Sequence, residues 1–198
     1  MEAEKINIRR DTMVVLDVRL DNIFAFRNFH MNLTYPKKIV GSCIKDEHLA
    51  DHPNFRYKKV NIIMGANASG KSTFGRALMK IFNFIDKKNL RFITDIICDR
   101  EKDASFSLDM ASTNNVFYRI ECTITPCLGE KYNGENVKLK IRELNILARD
   151  SYESCVKRME ESEYSPEENY LDELEKMESL DWLFQYPEDT ERILRFSK

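Results

Sequence analysis

No apolar run in the 198-residue sequence approaches the roughly 20 residues that a membrane-spanning helix requires. The first residues, Met1 to Lys5, are polar and of mixed charge, so they give no indication of a signal peptide. These two absences predict a cytoplasmic protein without a membrane partner. The hydrophobic content of 42% and the charged content of 32% are typical of a globular chain with one domain, or one domain plus an appendage.

Paired cysteines are also absent. The cysteines are odd in number and scattered, and none forms a C-x-x-C pair; they are Cys43, Cys98, Cys122, Cys127 and Cys155. Neither a zinc site nor a disulfide framework is therefore indicated, and free thiols in a reducing compartment are expected. His48 and His52 are four residues apart among acidic side chains. A helix could present both to a metal, whereas a solvated loop is the alternative interpretation.

Basic residues cluster only as adjacent pairs such as Arg9-Arg10 and Lys87-Lys88, so the sequence supports direct DNA binding only weakly. The net charge of −2 conceals an asymmetry, because residues 151–198 hold 14 acidic and 6 basic side chains. The preceding residues are positive on balance, which suits a triphosphate, a nucleic acid or both. We expect a domain at 1–150 and an acidic segment at 151–198.

The strongest feature that the sequence does contain is M-G-A-N-A-S-G-K-S-T at Met64 to Thr73, which fits the P-loop pattern G-x-x-x-x-G-K-[ST]. Glycines let such a loop curl until successive N–H groups face one anion, and the following helix adds the positive end of its dipole. Lys71 is expected to reach the β- and γ-phosphates, and the Ser72 hydroxyl to ligate Mg²⁺. The motif predicts binding of a nucleoside triphosphate.

The flanking sequence has the order that a P-loop requires. Lys59 to Met64 is a short apolar run with β-branched residues, which predicts a buried parallel strand. After the loop, apolar residues recur at the spacing of one helix face, at Phe74, Leu78, Ile81 and Ile85. Strand, loop and helix therefore follow one another as in nucleotide-binding domains.

Strands are also predicted upstream of this unit. Met13 to Leu20 and Ile23 to Leu33 carry alternating apolar residues and are predicted to form an antiparallel pair. The polar stretch 35–56, punctuated by prolines and a glycine, is predicted to be a long surface connection with one helical turn around 45–50.

Downstream of the unit, residues 89–98 are ambiguous between a short helix and a strand. Residues 104–110, 116–125 and 137–146 alternate with period two and predict an antiparallel meander. The expected fold is mixed α/β (α+β), with a P-loop NTPase core, an added antiparallel β-subdomain and a C-terminal acidic helical segment.

The acidic segment carries a helix-start signal at Ser165-Pro166-Glu167-Glu168, with a serine N-cap and a proline in the first turn. An apolar stripe would follow at Leu171, Leu174 and Met177. This pattern predicts a helical hairpin that lies on the core or on a partner.

The placement of the P-loop behind two β segments resembles the ABC-type ATPase heads of the RecF, SMC and Rad50 class, and most closely the bacterial AAA family ATPases related to the RecF and OLD-like groups. Three features carry the resemblance. Phe26-Arg27-Asn28-Phe29 is similar to the family's F-[KR]-S-F element, with asparagine in place of serine. The stretch Val60 to Thr73 is similar to h-x-h-h-x-G-x-N-x-[SA]-G-K-[ST]-[ST], in which Asn67 is the discriminating residue. The strands after the helix resemble the family's β-subdomain.

The resemblance, which covers residues 10–150, implies an ATP site with bound Mg²⁺. Arg27 would approach the phosphates from the early hairpin, or else be an exposed cation at a strand end, and Lys71 would be the catalytic cation. The residues that would bind the cofactor are Gly65, Ala66, Asn67, Ala68, Ser69, Gly70, Lys71, Ser72, Thr73 and Arg27, with Ser72 on the metal.

Several family elements are missing from this chain. No hydrophobic run ends in Asp-Glu, no L-S-G-G-x signature occurs, and the only glutamine is Gln185 in the acidic segment. In the family these parts come from a C-terminal lobe that follows an insertion. The resemblance therefore implies either the N-terminal part of a longer ATPase or a subunit whose second lobe is another chain. ATP binding with very slow hydrolysis is expected, because phosphoryl transfer needs all these groups in position.

Two alternatives to an ATP-binding lobe in a DNA-related or phage-defence assembly remain. A self-sufficient small NTPase or kinase would need a carboxylate within reach of Ser72, with Asp95, Asp99 or Glu121 as candidates. GTP specificity lacks support because no N-K-x-D occurs. The third hypothesis is an interaction module, in which the nucleotide only stabilises the fold and the acidic segment docks a partner.

Overall fold

The computed structural model describes residues 13–36, 43–67, 69–87, 89–127, 131–162 and 169–170. Within these ranges the elements are β1 (Met13–Asp21), β2 (Phe29–Asn32), β3 (His48–Leu49), β4 (His52–Arg56), α1 (Lys71–Lys87), α2 (Arg91–Thr94), β5 (Ala104–Ser112), β6 (Val116–Ile124), β7 (Val137–Asn145), α3 (Tyr152–Glu161) and β8 (Asn169–Tyr170). None of the helices in the described ranges has the length and apolar character that crossing a membrane would require.

A six-stranded sheet in the order β2-β1-β5-β6-β7-β8 forms the centre of the molecule, and its strand pairs are all antiparallel. The predicted pairing of β1 with β2 and the predicted β5-β6-β7 meander are confirmed. The strand predicted over Ile23 to Leu33 is shorter, because residues 23–28 form a turn with isolated bridges before β2. The sequence also did not indicate that β1 inserts between β2 and β5, which joins the two predicted units into one sheet.

One face of the sheet, the inner face, packs against α1. Alternation along β1, β5 and β6 brings Val18, Leu108 and Ile120 to this face, where they share a buried cluster with Ile81 and Phe84 of α1. The predicted helix is confirmed, and Phe74, Ile81 and Ile85 are buried as its spacing indicated. Residues 89–98, ambiguous in sequence, form the short helix α2 followed by turns.

The opposite face, the outer face, is covered at one end by the β3–β4 hairpin and α3. Phe55 and Leu49 of the hairpin are buried with Phe117 of β6 and with Cys155 and Met159 of α3. The predicted helical turn at 45–50 is therefore wrong. The hairpin forms because burial of Leu49 and Phe55 outweighs the polar character of the surrounding sequence.

The strand predicted at Lys59 to Met64 is also wrong, since these residues lie outside any helix or strand. The exposed fraction is 57% for Val60, 79% for Ile62, 44% for Ile63 and 85% for Met64. A buried parallel strand needs neighbours on both edges and cover on both faces. The described part of the chain provides neither, so a sequence with strong β propensity stays exposed and unpaired.

The acidic segment begins with α3, whose N-cap Ser151 accepts a hydrogen bond from the Ser154 N–H at 3.2 Å. Asn169–Tyr170, which the sequence places in a helix, instead pair with Lys138 and Leu139 at the edge of the sheet. The predicted helix start at 165–168 and the apolar stripe at Leu171, Leu174 and Met177 lie outside the described residues.

Candidate functional site

The P-loop motif forms a turn that leads directly into α1. Gly70 has φ +90°, a conformation that costs an L side chain free energy but is open to glycine. The Phe74 N–H donates to the Gly70 carbonyl at 2.8 Å, so this glycine closes the first turn of the helix. No acidic residue lies in the first turn of α1. The positive end of the helix dipole therefore faces no competing carboxylate of its own helix.

The Lys71 ammonium turns back into the loop. Its Nζ donates to the carbonyl oxygens of Gly65 at 2.7 Å and Ala66 at 2.6 Å, and it lies 3.2 Å from Ser69 Oγ. The Ser69 N–H donates to the Ala66 carbonyl at 3.3 Å, which makes the turn tight. These contacts curl the loop around a single cation. An incoming anion would meet that charge at the helix start.

The remaining residues of the predicted cofactor site border this turn. Asn67 and Ser72 are exposed, and Thr73 is half-buried with its hydroxyl 3.5 Å from the Arg76 guanidinium. An exposed Ser72 hydroxyl at the helix start can ligate a cation, as the motif predicts. Ala68 lies outside the described residues.

The Phe26-Arg27-Asn28-Phe29 element packs beside the P-loop through its two aromatic rings. The ring centroids of Phe26 and Phe29 are 4.8 Å apart, and those of Phe29 and Phe74 are 5.3 Å apart. Two Phe26 ring carbons lie 4.0 Å from where a Cβ on Gly70 would stand. These contacts join the β1–β2 turn to the first turn of α1, which is the neighbourhood that the resemblance implied.

Arg27 is exposed and is held by its own turn. Its Nη1 donates to Oδ1 of Asn22, a buried residue at the end of β1 with φ 54°. The same Asn22 side chain donates to the carbonyl oxygens of Asp99, Lys102 and Asp103 at 2.7, 3.2 and 3.0 Å. Asn22 therefore ties the Arg27 turn to the 99–103 loop. The approach of Arg27 to a phosphate stays a prediction.

Three carboxylates were candidates for completing the site. Glu121 pairs with Arg142 at 2.9 Å on the outer face, so the sheet separates it from Ser72. Asp95 is exposed at the end of α2. A hydrogen bond from the Lys102 ammonium, together with one from the Glu101 N–H, lowers the pKa of Asp99 and keeps it ionised. No contact that the structure gives for the described residues joins any of the three to Ser72.

A buried polar network on the outer face was missed by sequence reasoning. The Arg119 guanidinium donates to both carboxylate oxygens of Asp109 at 2.7 Å, and the Tyr152 hydroxyl donates to Asp109 at 2.8 Å. Burial and the Asp109 charge raise the pKa of Tyr152, and hydrogen bonding to Asp109 raises the pKa of Arg119. The only signal was an acidic and a basic residue facing each other across β5 and β6.

Within the described residues, the cysteines and histidines do not come together into a disulfide or a metal site. Cys122 and Cys155 are buried and Cys43 and Cys98 are exposed, all as free thiols. Burial raises the pKa of Cys155 to about 12, so its thiol stays protonated near neutrality. His48 and His52 lie on separate short strands, and each has a ring nitrogen at a backbone carbonyl oxygen. No group of three or more potential metal ligands occurs within the described ranges.

Comparison of the chain with models of known protein families, with curated proteins and with solved structures gave no match.

Proposed function

We propose that this chain binds Mg-ATP through residues 65–73 and serves as the N-terminal lobe of an SMC/RecF-like ATPase. The observation that carries the proposal is the geometry around Gly70, whose positive φ ends a tight turn that wraps the Lys71 ammonium at the start of a 17-residue helix. A glycine turn, one lysine and a helix N-terminus are the elements with which P-loops hold phosphate groups.

The exposed apolar residues at 60–64 support a second lobe as the partner of this chain. The apolar side chains of this stretch are exposed, and in a strand they would point to both faces, so a single partner surface could not bury all of them. Parallel strands from a C-terminal lobe, in the same polypeptide or in a second subunit, would pair with its backbone and cover both faces. Such pairing would also fix the entrance of the P-loop, because Gly65 follows Met64 directly.

Hydrolysis by the chain alone is expected to be very slow. Glu121 is on the far face of the sheet, and the contacts of Asp95 and Asp99 do not include Ser72 within the described residues. A phosphate cradle without a carboxylate that positions water binds nucleotide but turns it over poorly. The assembly that the lobe serves, DNA-related or in phage defence, follows from the sequence resemblance alone.

The test measures Mg-ATP binding and ATP turnover of the purified chain in parallel. Lys71→Ala should abolish binding and leave the fold intact, and Lys80→Ala is the matched control because Lys80 lies on the same helix against Phe92. Full affinity in Lys71→Ala would overturn the P-loop assignment. Turnover that disappears in Lys71→Ala would instead favour the self-sufficient NTPase, with a carboxylate reaching the site.

Arg27 is tested by comparing nucleotides. If it reaches the γ-phosphate, Arg27→Ala weakens ATP binding more than ADP binding. An equal effect on both would make Arg27 a structural residue, since its contact with Asn22 would then account for the loss.

The interaction-module alternative predicts a different outcome in the assembly. Lys71→Ala would then leave the activity of the complete assembly unchanged while lowering the stability that nucleotide confers on this chain.

A further inference from the structure

The edge of β2 that faces away from β1 has no strand beside it in the described part of the chain, because β2 is the last strand in the order of the sheet. The Leu33 N–H donates to the Leu16 carbonyl at 2.7 Å, next to the opposed pair Asp17 and Asn32. In an antiparallel pair this pattern directs the backbone groups of Asn32 and His30 away from β1. We call this row of backbone N–H and C=O groups the free edge of β2, and a further strand could pair with it.

Residues 59–64, which we call the strap, begin beside one end of the free edge. The chain reaches them from β4, and Thr34 and Tyr57 form an antiparallel bridge just before the strap. The Lys58 N–H donates to the Leu33 carbonyl at 2.8 Å, so antiparallel hydrogen bonding already extends to the end of β2. The same register, carried forward, brings the strap along the free edge.

The strap ends near the other end of β2. It leads into the P-loop turn, where two Phe26 ring carbons lie 4.0 Å from the position of a Cβ on Gly70. Phe26 also contacts Phe29, the first residue of β2, with ring centroids 4.8 Å apart. Both ends of the strap are therefore held near the two ends of β2, and its pairing with the free edge requires no long loop to be ordered.

The apolar residues of the strap match those of β2. The register places Val60 opposite Met31 and Ile62 opposite Phe29, and directly opposed residues share one face of a sheet. Met31 and Phe29 pack against the buried cluster of the inner face. Val60 is 57% exposed and Ile62 is 79% exposed, so pairing would remove their apolar surface from water.

The polar residues of the strap match the opposite face. The same register places Lys59 opposite Asn32 and Asn61 opposite His30. The side chains of Asn32 and His30 lie on the outer face, where both hydrogen-bond to Asp17. A slip by one residue would bring the apolar side chains of the strap to this polar face, so the alternation specifies one register.

Exposed side-chain contacts hold the strap away from the free edge in the structure. The Asn61 amide donates to the Lys58 carbonyl at 3.1 Å, across a bend at Lys59. The Lys58 ammonium donates to the Asn32 carbonyl at 3.3 Å, and the Lys59 ammonium donates to the Lys45 carbonyl at 3.0 Å. Such exposed bonds add little to stability, because water replaces them readily. Backbone bonds from the strap to β2 can therefore displace them.

We propose that the strap closes onto the free edge of β2 as an additional antiparallel strand, with Val60 opposite Met31, and that closure positions Gly65 for phosphate binding. Gly65 follows the strap directly, and its carbonyl accepts a hydrogen bond from the Lys71 ammonium at 2.7 Å. The role at Gly65 rests on the proposed ATP site, whereas closure itself does not. The outward edge of the closed strap stays available to a strand of the second lobe.

A cross-strand disulfide tests closure. Opposed residues that exchange no backbone hydrogen bonds lie close enough for a disulfide, so Val60→Cys with Met31→Cys should form one within a single chain. The matched control is Ile63→Cys with Met31→Cys, and both variants carry serine at the exposed Cys43 and Cys98. Mass spectrometry after mild oxidation should show the first bond forming about tenfold faster, because closure raises the effective concentration of its two thiols. Equal rates, or bonds that join two copies, would overturn the proposal.

Amide hydrogen exchange of the unmodified chain tests the register without a variant. In the closed strap the N–H groups of Lys59 and Asn61 face β2, whereas those of Val60 and Ile62 point away from it. Exchange, followed by NMR and corrected for intrinsic rates, should be slower at 59 and 61 than at 60 and 62, and the difference should grow with Mg-ATP. Exchange without this alternation, with and without Mg-ATP, would contradict the proposed strand.

Mg-ATP affinity of the disulfide-bonded chain separates closure from the ATP site. The oxidised Val60→Cys, Met31→Cys variant should bind Mg-ATP about threefold or more tightly than its own reduced form, because the competent state is then fully populated. Reduction should leave the affinity of the Ile63→Cys control unchanged. A bond that forms without a gain in affinity would overturn the role of closure at Gly65. Loss of Mg-ATP binding from every chain, with the disulfide still forming, would instead overturn the proposed function and support closure alone.

Discussion

Replacement of Gly70 by alanine should destabilise the fold, whereas the same replacement at Gly75 should stabilise it. Gly70 has φ +90°, and Gly75 lies within α1 with no atom within 4 Å of the position of an added Cβ. Both substitutions add one methyl group to residues only five positions apart. The pair therefore isolates backbone conformation from the effect of added bulk.

The magnitudes follow from the surroundings of each site. At Gly70 the nearest atoms, on the Phe26 ring, lie at 4.0 Å, which is ordinary contact distance, so strain rather than a clash decides the outcome. A left-handed backbone conformation costs an alanine about 1–2 kcal/mol. At Gly75 the helix gains about 0.5–1 kcal/mol because alanine loses less entropy than glycine on folding.

Urea unfolding followed by circular dichroism measures both changes, and thermal midpoints should move by about 2–4 °C per kcal/mol for a chain of this size. Mg-ATP affinity provides the second readout. It should fall in Gly70→Ala, where the loop must change shape, and stay unchanged in Gly75→Ala. Equal stability changes in the two variants would refute the assignment of a strained turn at Gly70.

Three further predictions concern the buried polar groups. Asn22→Ala should cost about 2–4 kcal/mol in urea unfolding, because the hydrogen bonds from its buried side chain to several backbone groups of the 99–103 loop are lost. Asp109→Ala should cost about 3–5 kcal/mol by the same measurement, because it leaves the buried Arg119 guanidinium with only the exposed Glu160 carboxylate, 3.6 Å away, as a counter-charge. Stability should fall as pH rises above about 10, because the unfolded chain then loses the Tyr152 proton while the raised pKa of Tyr152 keeps that proton in the folded state. The expected loss in the free energy of unfolding from this group is about 1.4 kcal/mol per pH unit.

Each of these has its own control. Asn28→Ala is the comparison for Asn22, since Asn28 also has a positive φ but is exposed; equal losses would show that the buried hydrogen bonds contribute little. Ser107→Ala, two residues from Asp109 on the same face, should be nearly neutral. Tyr152→Phe should flatten the alkaline loss of stability, and an unchanged slope would assign that loss to other groups.

The elements that the sequence predicted correctly are those whose pattern matches their burial. In α1, Phe74, Ile81 and Ile85 recur at helical spacing and are buried against one face of the sheet. In β5 and β6 the apolar residues alternate because only the inner face contacts α1. Here the local pattern and the tertiary packing agree, so periodicity was sufficient.

The failures occurred where a distant partner decides the structure. Residues 59–64 have the composition of a buried strand, but β structure depends on neighbours that the described chain does not supply. The β3–β4 hairpin has almost no alternation and is stabilised by burial of Phe55 under α3. At the candidate site, a glycine turn leading into a helix could be predicted from the residues of the motif. The contact of Arg27 with Asn22 could not be predicted, because it depends on the left-handed backbone conformation of Asn22, which the sequence pattern does not indicate.

The position of β1 between β2 and β5 determines the order in which the chain can fold. Its register pairs Asp21 with Ser105 and Met13 with Ser112. Two neighbouring strands of the sheet therefore come from segments that are separated in sequence by the β3–β4 hairpin and the helices α1 and α2. Closing such long loops makes folding slow relative to local hairpins. During synthesis, β1 can pair with β2, but its pairing with β5 must wait until β5 has left the ribosome, whereas β5, β6 and β7 can pair as soon as they emerge. We therefore expect the meander to form first and the pairing of β1 with β5 to form last.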